Sequence, residues 1–497
     1  MRGDLFKGAV LGAAVASIVT LAGGALAGTG VGAVFNLGVT NAAGKVTTLV
    51  GTSSKTLQIT NRSGSSSAVA VGASSKGAGA PALRASNTGG GPALGLSVKP
   101  GAAPFTVNSS AMVAKLNAAL LDGNSASAFQ RSYSHTVVVS PGATPSESGT
   151  ALLDGLAGIT TASSNNPFLV KLEPGVYDVG ATAVSMQPYV DVEGSGQDTT
   201  TITGTQSFQT IHPQSNSELR DVTVENTGGG AAILANIGSP VLTHVTALSS
   251  TSDGTKNIYG IEDVNCSPIM TDVAASASTD ATAGSGSRYG VYDSNSSPTM
   301  IDVAASATGG SGSGADSGVE NVSGSAPVMD LVQASASGAG SDFGVENHAS
   351  SPLMAFDTAT ATASGTLSLQ AGVYNTAGAS PMMDNIVATA SGGTYINIGV
   401  WNEVSSMTLN QVDAVASGGG SNNRGIEDSA GGGSYTVKIN NSEITGSSAT
   451  IDNTSASFTT DIGGSLLNGG AVSTGGGTVT CVDSYSGTYT ALNSSCT

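Results

Sequence analysis

The chain lacks most of what enzyme sites and globular cores are built from. Of 497 residues only 10% are charged and 4% aromatic, with one tryptophan, four histidines and three cysteines. His135, His212, His244 and His348 are scattered at no metal or triad spacing, and three cysteines do not make a zinc site. Glu, Lys, Arg and Leu are scarce beside 70 glycines, which excludes long helices. With 39% apolar residues and so little charge, disorder through self-repulsion is excluded as well. Basic residues nearly vanish after position 131. Residues 1–131 hold ten Lys/Arg against Asp4 and Asp122 (+8), whereas 132–497 hold six against 32 acids (−26). The acidic part repels nucleic acid and anionic polymers. Its natural partners are divalent cations or neutral sugars.

What is present begins with Arg2 and Lys7, followed by an apolar stretch from Ala9 to Leu26 and the small-residue triplet Ala25-Leu26-Ala27. This predicts a secretory signal over 1–27, and hence a secreted or cell-surface protein; an uncleaved anchor is the alternative. No later segment is long and apolar enough to span a bilayer. Cys481 and Cys496 bracket the carboxy-terminal segment 481–497. A disulfide there predicts a cap worth ~3 kcal/mol in the chain-entropy model. Cys266 is left over.

From about Ser217 to Ala416 one pattern recurs, marked by Ser/Ala-Pro and an alternating strand, as in SPIMTDVAASAS at Ser267 and SPTMIDVAASAT at Ser297. Two degenerate copies, around Ser217 and Met407, lack the proline; with Pro or its equivalent as the mark, the positions are 217, 240, 268, 298, 327, 352, 381 and 407, at intervals of 23, 28, 30, 29, 25, 29 and 26. Two residues on are Leu219, Leu242, Met270, Met300, Met329, Met354, Met383 and Leu409. Five on are valine or isoleucine, except Asp357, and seven and nine on are mostly alanine. Period-2 apolarity predicts strands with one face inward. Before most marks lies Gly-[Val/Ile]-[Glu/Tyr/Trp]-[Asp/Asn], from Gly260 to Gly425. Each copy thus reads as one β-solenoid coil, with valine inward, the next residue outward and Asp/Asn at the bend. Leucine-rich, propeller and helical repeats need signatures the chain lacks. About twelve coils at ~4.8 Å make a rod roughly 60 Å long over residues 132–480.

Three segments carry a resemblance: Gly149-Thr-Ala-Leu-Leu-Asp-Gly-Leu, Phe168-Leu-Val-Lys-Leu-Glu-Pro-Gly-Val-Tyr and Tyr189-Val-Asp-Val-Glu-Gly-Ser-Gly. The chain resembles right-handed parallel β-helix proteins of the pectin-lyase-like superfamily. That resemblance implies a short helix capping the core and a first coil opened by the Pro-Gly-x-Tyr strand. The catalytic patterns of the superfamily's enzymes are absent; Gln197-Asp198 is similar to a pectinesterase pair but precedes the coils where that site sits. Residues 28–131 form a β-rich or flexible stalk, basic and rich in Gly, Ser and Ala. Leu116-Asn-Ala-Ala-Leu-Leu-Asp-Gly resembles a segment of tail-fibre and surface-stalk proteins, which implies a homotrimer through the stalk.

The outward position of the Gly-Val motif is a ladder: Glu262, Tyr292, Glu320, Glu346, Tyr374, Trp401 and Glu427. Carboxylates accept sugar hydroxyls and aromatic rings stack on sugar faces, so this ladder is the candidate ligand-binding stripe, with Trp401 first. The plainer reading is a solvated face whose aromatics cover neighbouring coils. Glu320 and Glu346, on successive coils, approximate the spacing of a retaining glycosidase pair and are the catalytic candidates. The Asp/Asn row (Asp263, Asp293, Asn321, Asn347, Asn375, Asn402, Asp428) reads as turn stacking, with calcium at Asp263, Asp293 and Asp428 as its alternative. No other cofactor is implied. The expectation is a non-catalytic β-helix that binds a polysaccharide or cell-surface glycan, or serves a structural or adhesive role. The alternative is a divergent polysaccharide lyase or glycoside hydrolase.

Overall fold

The computed structural model describes residues 133–281, 284–309, 314–338, 340–363, 369–418, 420 and 422–497, with short stretches between 59 and 96. The signal segment, most of the stalk and its trimer motif lie outside the described residues. The strand-like echoes around Ile59, Leu83 and Leu94 form no strand where they are described, and those three side chains are exposed.

From His135 onward the chain is a parallel β-solenoid, every strand ladder pairing in parallel with the coil before and after. Three faces repeat. The methionine face contains Phe168–Leu172, the start of Ile269–Thr279, Leu353–Ala355 and Thr478–Val482. The alanine face contains Gly175–Gly180, the end of Ile269–Thr279, Gln333–Gly338 and Asp413–Ala416. The asparagine face contains Ile258–Val264, Arg288–Ser294, Ala315–Val322, Ser341–His348, Leu369–Thr376, Ile396–Glu403 and Asn423–Ser429. Leu219, Leu242, Met270, Met300, Met329, Met354, Met383 and Leu409 stack inward with no exposure, as the repeat predicts. The alanines at the seventh and ninth positions narrow the interior of the second face. Asp357, the exception to the valine row, still points inward and accepts from the Val332 amide at 2.7 Å.

The bend between the first two faces is a left-handed residue, such as Asp272 (φ 53), Asp302 (φ 56) or Asn385 (φ 56), whose short polar side chains tolerate that region. The second corner is the motif glycine. A Cβ on Gly290 would lie 2.5 Å from both Gly318 O and Ser306 N, so only glycine lets the two faces close.

Helix α1, Pro145–Ala157, caps the amino-terminal end. Thr144 and Glu147 form a reciprocal capping box, and Leu152 and Leu156 are buried in the core. At the other end the Cys481–Cys496 disulfide has formed, and both sulfurs belong to residues packed in the core. Cys266 is free and buried.

Candidate functional site

Each motif strand turns at its glycine, points Val or Ile inward and the next side chain outward. Register then aligns the outward residues one above another: Glu262 with Tyr292, Tyr292 with Glu320, Glu320 with Glu346, Glu346 with Tyr374, Tyr374 with Trp401, and Trp401 with Glu427. The seven residues selected from sequence therefore form one column, with neighbours ~4.8 Å apart.

Beside it the residues that precede the glycines form a second column, Tyr259, Tyr289, Ser317, Phe343, Ala371, Ile398 and Arg424. Ser317, Phe343, Ala371 and Ile398 are buried, the last three in a small apolar cluster outside the main core against which Tyr374 and Trp401 pack. Sequence reasoning missed this column because a period-2 strand puts that position inward; the kink at the glycine turns it away from the main core. Its signal was the run of Tyr, Tyr and Phe immediately before Gly260, Gly290 and Gly344. The two columns assemble two aromatic groups. Tyr259 and Tyr289 stack at 5.2 Å, with Tyr292 packed against them at 5.4 and 5.1 Å. Further along, Phe343 stacks on Tyr374 at 5.0 Å and Tyr374 on Trp401 at 4.3 Å. Stacking covers one face of the Trp401 ring, and its Nε1 donates to Ser429 Oγ at 3.1 Å.

Glu320 and Glu346 lie between the two aromatic groups. Ser317 Oγ donates to Glu346 Oε2 at 3.0 Å. Burial holds both carboxyls above the ordinary range, and the neighbouring Glu346 adds to the rise at Glu320. Burial likewise raises Glu262. Glu427 is withdrawn from the stripe: it is 8% exposed and ion-paired with Arg424, which also holds Asp452 at 3.0 Å. Glu403, absent from the sequence-derived set, accepts from the Tyr374 hydroxyl at 2.5 Å.

The Asp/Asn row corrects the sequence reading. Asp263, Asp293, Asn321, Asn347, Asn375, Asn402 and Asp428 do not take the bend; all are fully buried inside the coil. The left-handed residues two or so positions on, such as Asn265, Asn295 and Ala349, make the turn. Asn321 Nδ2 donates to Asn347 Oδ1 at 2.9 Å, and Asn347 Nδ2 to Asn375 Oδ1 at 2.8 Å. Asp428 accepts from Asn402 and Thr460, and burial pushes it up to about 7. Among the described residues no three His, Cys, Asp or Glu side chains converge on a common point that would hold a metal ion. The Asp263–Asp293 pair offers few of the six to eight oxygens calcium takes, and Asp428 lies several coils away.

A second interior column was not legible in the sequence. Arg288, Asp316, Asp342, Gln370, Asn397 and Asn423 stack in register and are buried. Arg288 pairs with Asp316; Asp342 is pushed up to about 8 by burial and by Asp316.

No family model and no curated protein matches the chain. Solved structures similar in fold include the A-module of mannuronan C-5 epimerase AlgE6 from Azotobacter vinelandii. It is 13% identical, over 68% of this chain and 95% of that one, with a TM-score of 0.49. DFA-IIIase from Arthrobacter chlorophenolicus A6 in complex with GF2 is 11% identical over 64% and 95%, TM-score 0.38. Carrot pectin methylesterase is 12% identical over 54% and 78%, TM-score 0.28. At such values the likeness says nothing about activity.

Proposed function

We propose that the chain is a secreted or cell-surface β-solenoid that binds an uncharged polysaccharide along its Glu/aromatic columns without cleaving it. The observation that carries this reading is the in-register column from Tyr292 to Trp401, in which aromatic groups flank a half-buried carboxyl pair. Carboxyl groups accept from sugar hydroxyls, and donate to them when protonated, while ring edges cover the sugar's apolar surface. An acidic solenoid disfavours anionic polymers. The disulfide suits an oxidising compartment, and among the described residues no helix is long and apolar enough to cross a membrane.

One observation favours a second reading, a divergent glycoside hydrolase. Glu320 and Glu346 stand in register on successive coils with burial raising both carboxyls, and retaining hydrolysis needs one carboxyl as acid and one as nucleophile. Isothermal titration of the full chain against neutral and anionic polysaccharides, with reducing ends followed in parallel, separates the two. Binding to a neutral polymer, weakened roughly tenfold by Trp401→Ala, is expected, a loss of ~1.4 kcal/mol. Cleavage abolished by Glu320→Gln would establish the hydrolase; binding that ignores Trp401 would remove the stripe as the site.

A further inference from the structure

The loop 205–208, between Thr200–Gly204 on the alanine face and Gln209–His212 on the asparagine face, lines an open cavity of about 740 Å³ together with Ala181, Gly228 and Lys256. The stripe gives this cavity no role, yet its volume lies within the ~300–1,000 Å³ of small-ligand pockets. The next coil leaves the space open. A Cβ on Gly228 would lie 2.5 Å from Gln206 O, and Gly229 and Gly230 add no side chain either. The Ala231 amide donates to Phe208 O and ties the loop to that coil. One coil further on, Lys256 lays its stem over Gly229 and donates from Nζ to Gly228 O at 2.8 Å.

Gln206 makes the cavity unusual. It is 8% exposed, and its Nε2 meets no acceptor on the protein. Its Oε1 faces Thr210 Oγ1 at 3.3 Å, but that hydroxyl has one proton to give and lies 2.8 Å from Glu225 O. Both ends of a buried amide are therefore short of partners, a costly state for such a group. The terminal torsion of glutamine is soft, so the amide turns to a polar group seated against the cavity wall at little cost. Phe208, two positions on, is 79% exposed and contributes nothing to the interior. Neither residue is accounted for by packing within the chain.

We propose that this cavity takes one neutral saccharide unit and holds the end of the chain bound along the stripe. A sugar hydroxyl is donor and acceptor at once, so adjacent hydroxyls satisfy both ends of the Gln206 amide; an anion, acceptor only, answers Nε2 and leaves Oε1 unmet. An acetamido group on the sugar offers the same pairing through its own N–H and carbonyl. Lys256 keeps two N–H for further sugar oxygens, and the Phe208 ring in the cavity wall covers the apolar face of the sugar. Gln209, also in the wall, stacks through Ala231 on Tyr259. The cavity thus lies two coils, about 10 Å, from the first aromatic group. The link to the stripe rests on the polysaccharide reading; the chemistry of the cavity stands on its own residues.

Isothermal titration of the full chain with maltotriose, cellotriose, mannotriose and tri-N-acetylchitotriose tests this, with trigalacturonate as the anionic counterpart. Wild type is expected to bind at least one neutral trisaccharide, the acetamido sugar and the plain hexoses separating the two sources of the pairing. Gln206→Met, similar in volume but without the amide, and Phe208→Ala, at an exposed position, are each expected to weaken that binding tenfold or more without lowering the thermal midpoint. Trp401→Ala is expected to leave the trisaccharide within twofold of wild type. Pocket variants that lose the trisaccharide while Trp401→Ala leaves polymer binding unchanged would sustain the cavity and remove the stripe. Wild type that binds no neutral trisaccharide would overturn the proposal, as would Gln206→Met and Phe208→Ala that bind like wild type. Preference for trigalacturonate, lost in Lys256→Gln, would make the cavity an anion site and overturn it too.

Discussion

Asn321 donates its side-chain amide to Asn347, and Asn347 to Asn375, so the Asn347 and Asn375 oxygens each accept from the coil before. Asn321 Oδ1 has no donor from a protein group, and the residue stacked before it is Asp293. An ionised Asp293 puts oxygen against oxygen, whereas a protonated one completes the chain. Burial and the neighbouring Asp263 hold Asp293 well above the ordinary carboxyl range, in agreement with that direction. Asp293→Asn supplies the missing N–H without a proton. It is expected to raise the urea midpoint at pH 7 by the equivalent of ~1 kcal/mol, and to change little at pH 4. A lower midpoint at pH 7 would contradict the directional column. The row itself was visible in the sequence as Gly-Val-x-Asp/Asn. Its inward direction was not, because Asx residues are common both in turns and in buried stacks, and only the position of the left-handed residue separates the two.

Among the elements, the motif strands depend on their glycines. A Cβ on Gly344 would sit 2.4 Å from Thr360 N and 2.6 Å from Gly372 O, both backbone atoms that cannot rotate away. Gly344→Ala is therefore expected to cost several kcal/mol, more than the ~1–3 kcal/mol of ordinary overpacking, and to lower the thermal midpoint. A midpoint within a degree of wild type would show that the corner opens freely. The inward Met, Val and Ala rows were legible because the offsets repeat over eight copies, six of them marked by proline. The column of Tyr259, Tyr289 and Phe343 was not, since the glycine kink reverses the facing that alternation implies. Helix α1 is held by its capping box and buries Leu152 and Leu156, but only the family resemblance implied it and its place over the first coil.

For the whole molecule, the interior carboxyls set the pH response. Asp428 and Asp357 are each pushed up to about 7 and Asp342 to about 8, chiefly by burial. Their folded values lie above the unfolded value of ~3.9. The stability linked to them is complete below that value and is lost as pH rises through 7 to 8. Glu193, lowered by Lys171 and Arg220 against its burial, acts in the opposite sense and loses its contribution in strong acid. The thermal midpoint is expected to be highest near pH 4–5 and to fall by roughly 5 °C or more toward pH 9. A midpoint that rises over that range in differential scanning calorimetry would show that these carboxyls are ionised in the folded chain. The end caps complete the molecule. A stack of coils exposes strand edges at both ends; α1 covers one, and the Cys481–Cys496 segment folds over the other.

The sequence by itself determined the solenoid. Spacing of 23 to 30 residues, small apolar fillers and a glycine in each coil leave few other ways to bury so much alanine and valine. It also determined which residues form the outward ladder, because register follows the repeat. Only the tertiary structure decided what those residues do to one another. Burial raises both Glu320 and Glu346, stacking Tyr374 on Trp401 covers a ring face, and Arg424, also bridged to Asp452 of the next coil, holds Glu427 out of the stripe. The physical reason is that desolvation and stacking depend on neighbours a coil away. Glu346, Trp401 and Asp452 lie 26, 27 and 28 residues beyond Glu320, Tyr374 and Arg424 in the chain but next to them in the stack.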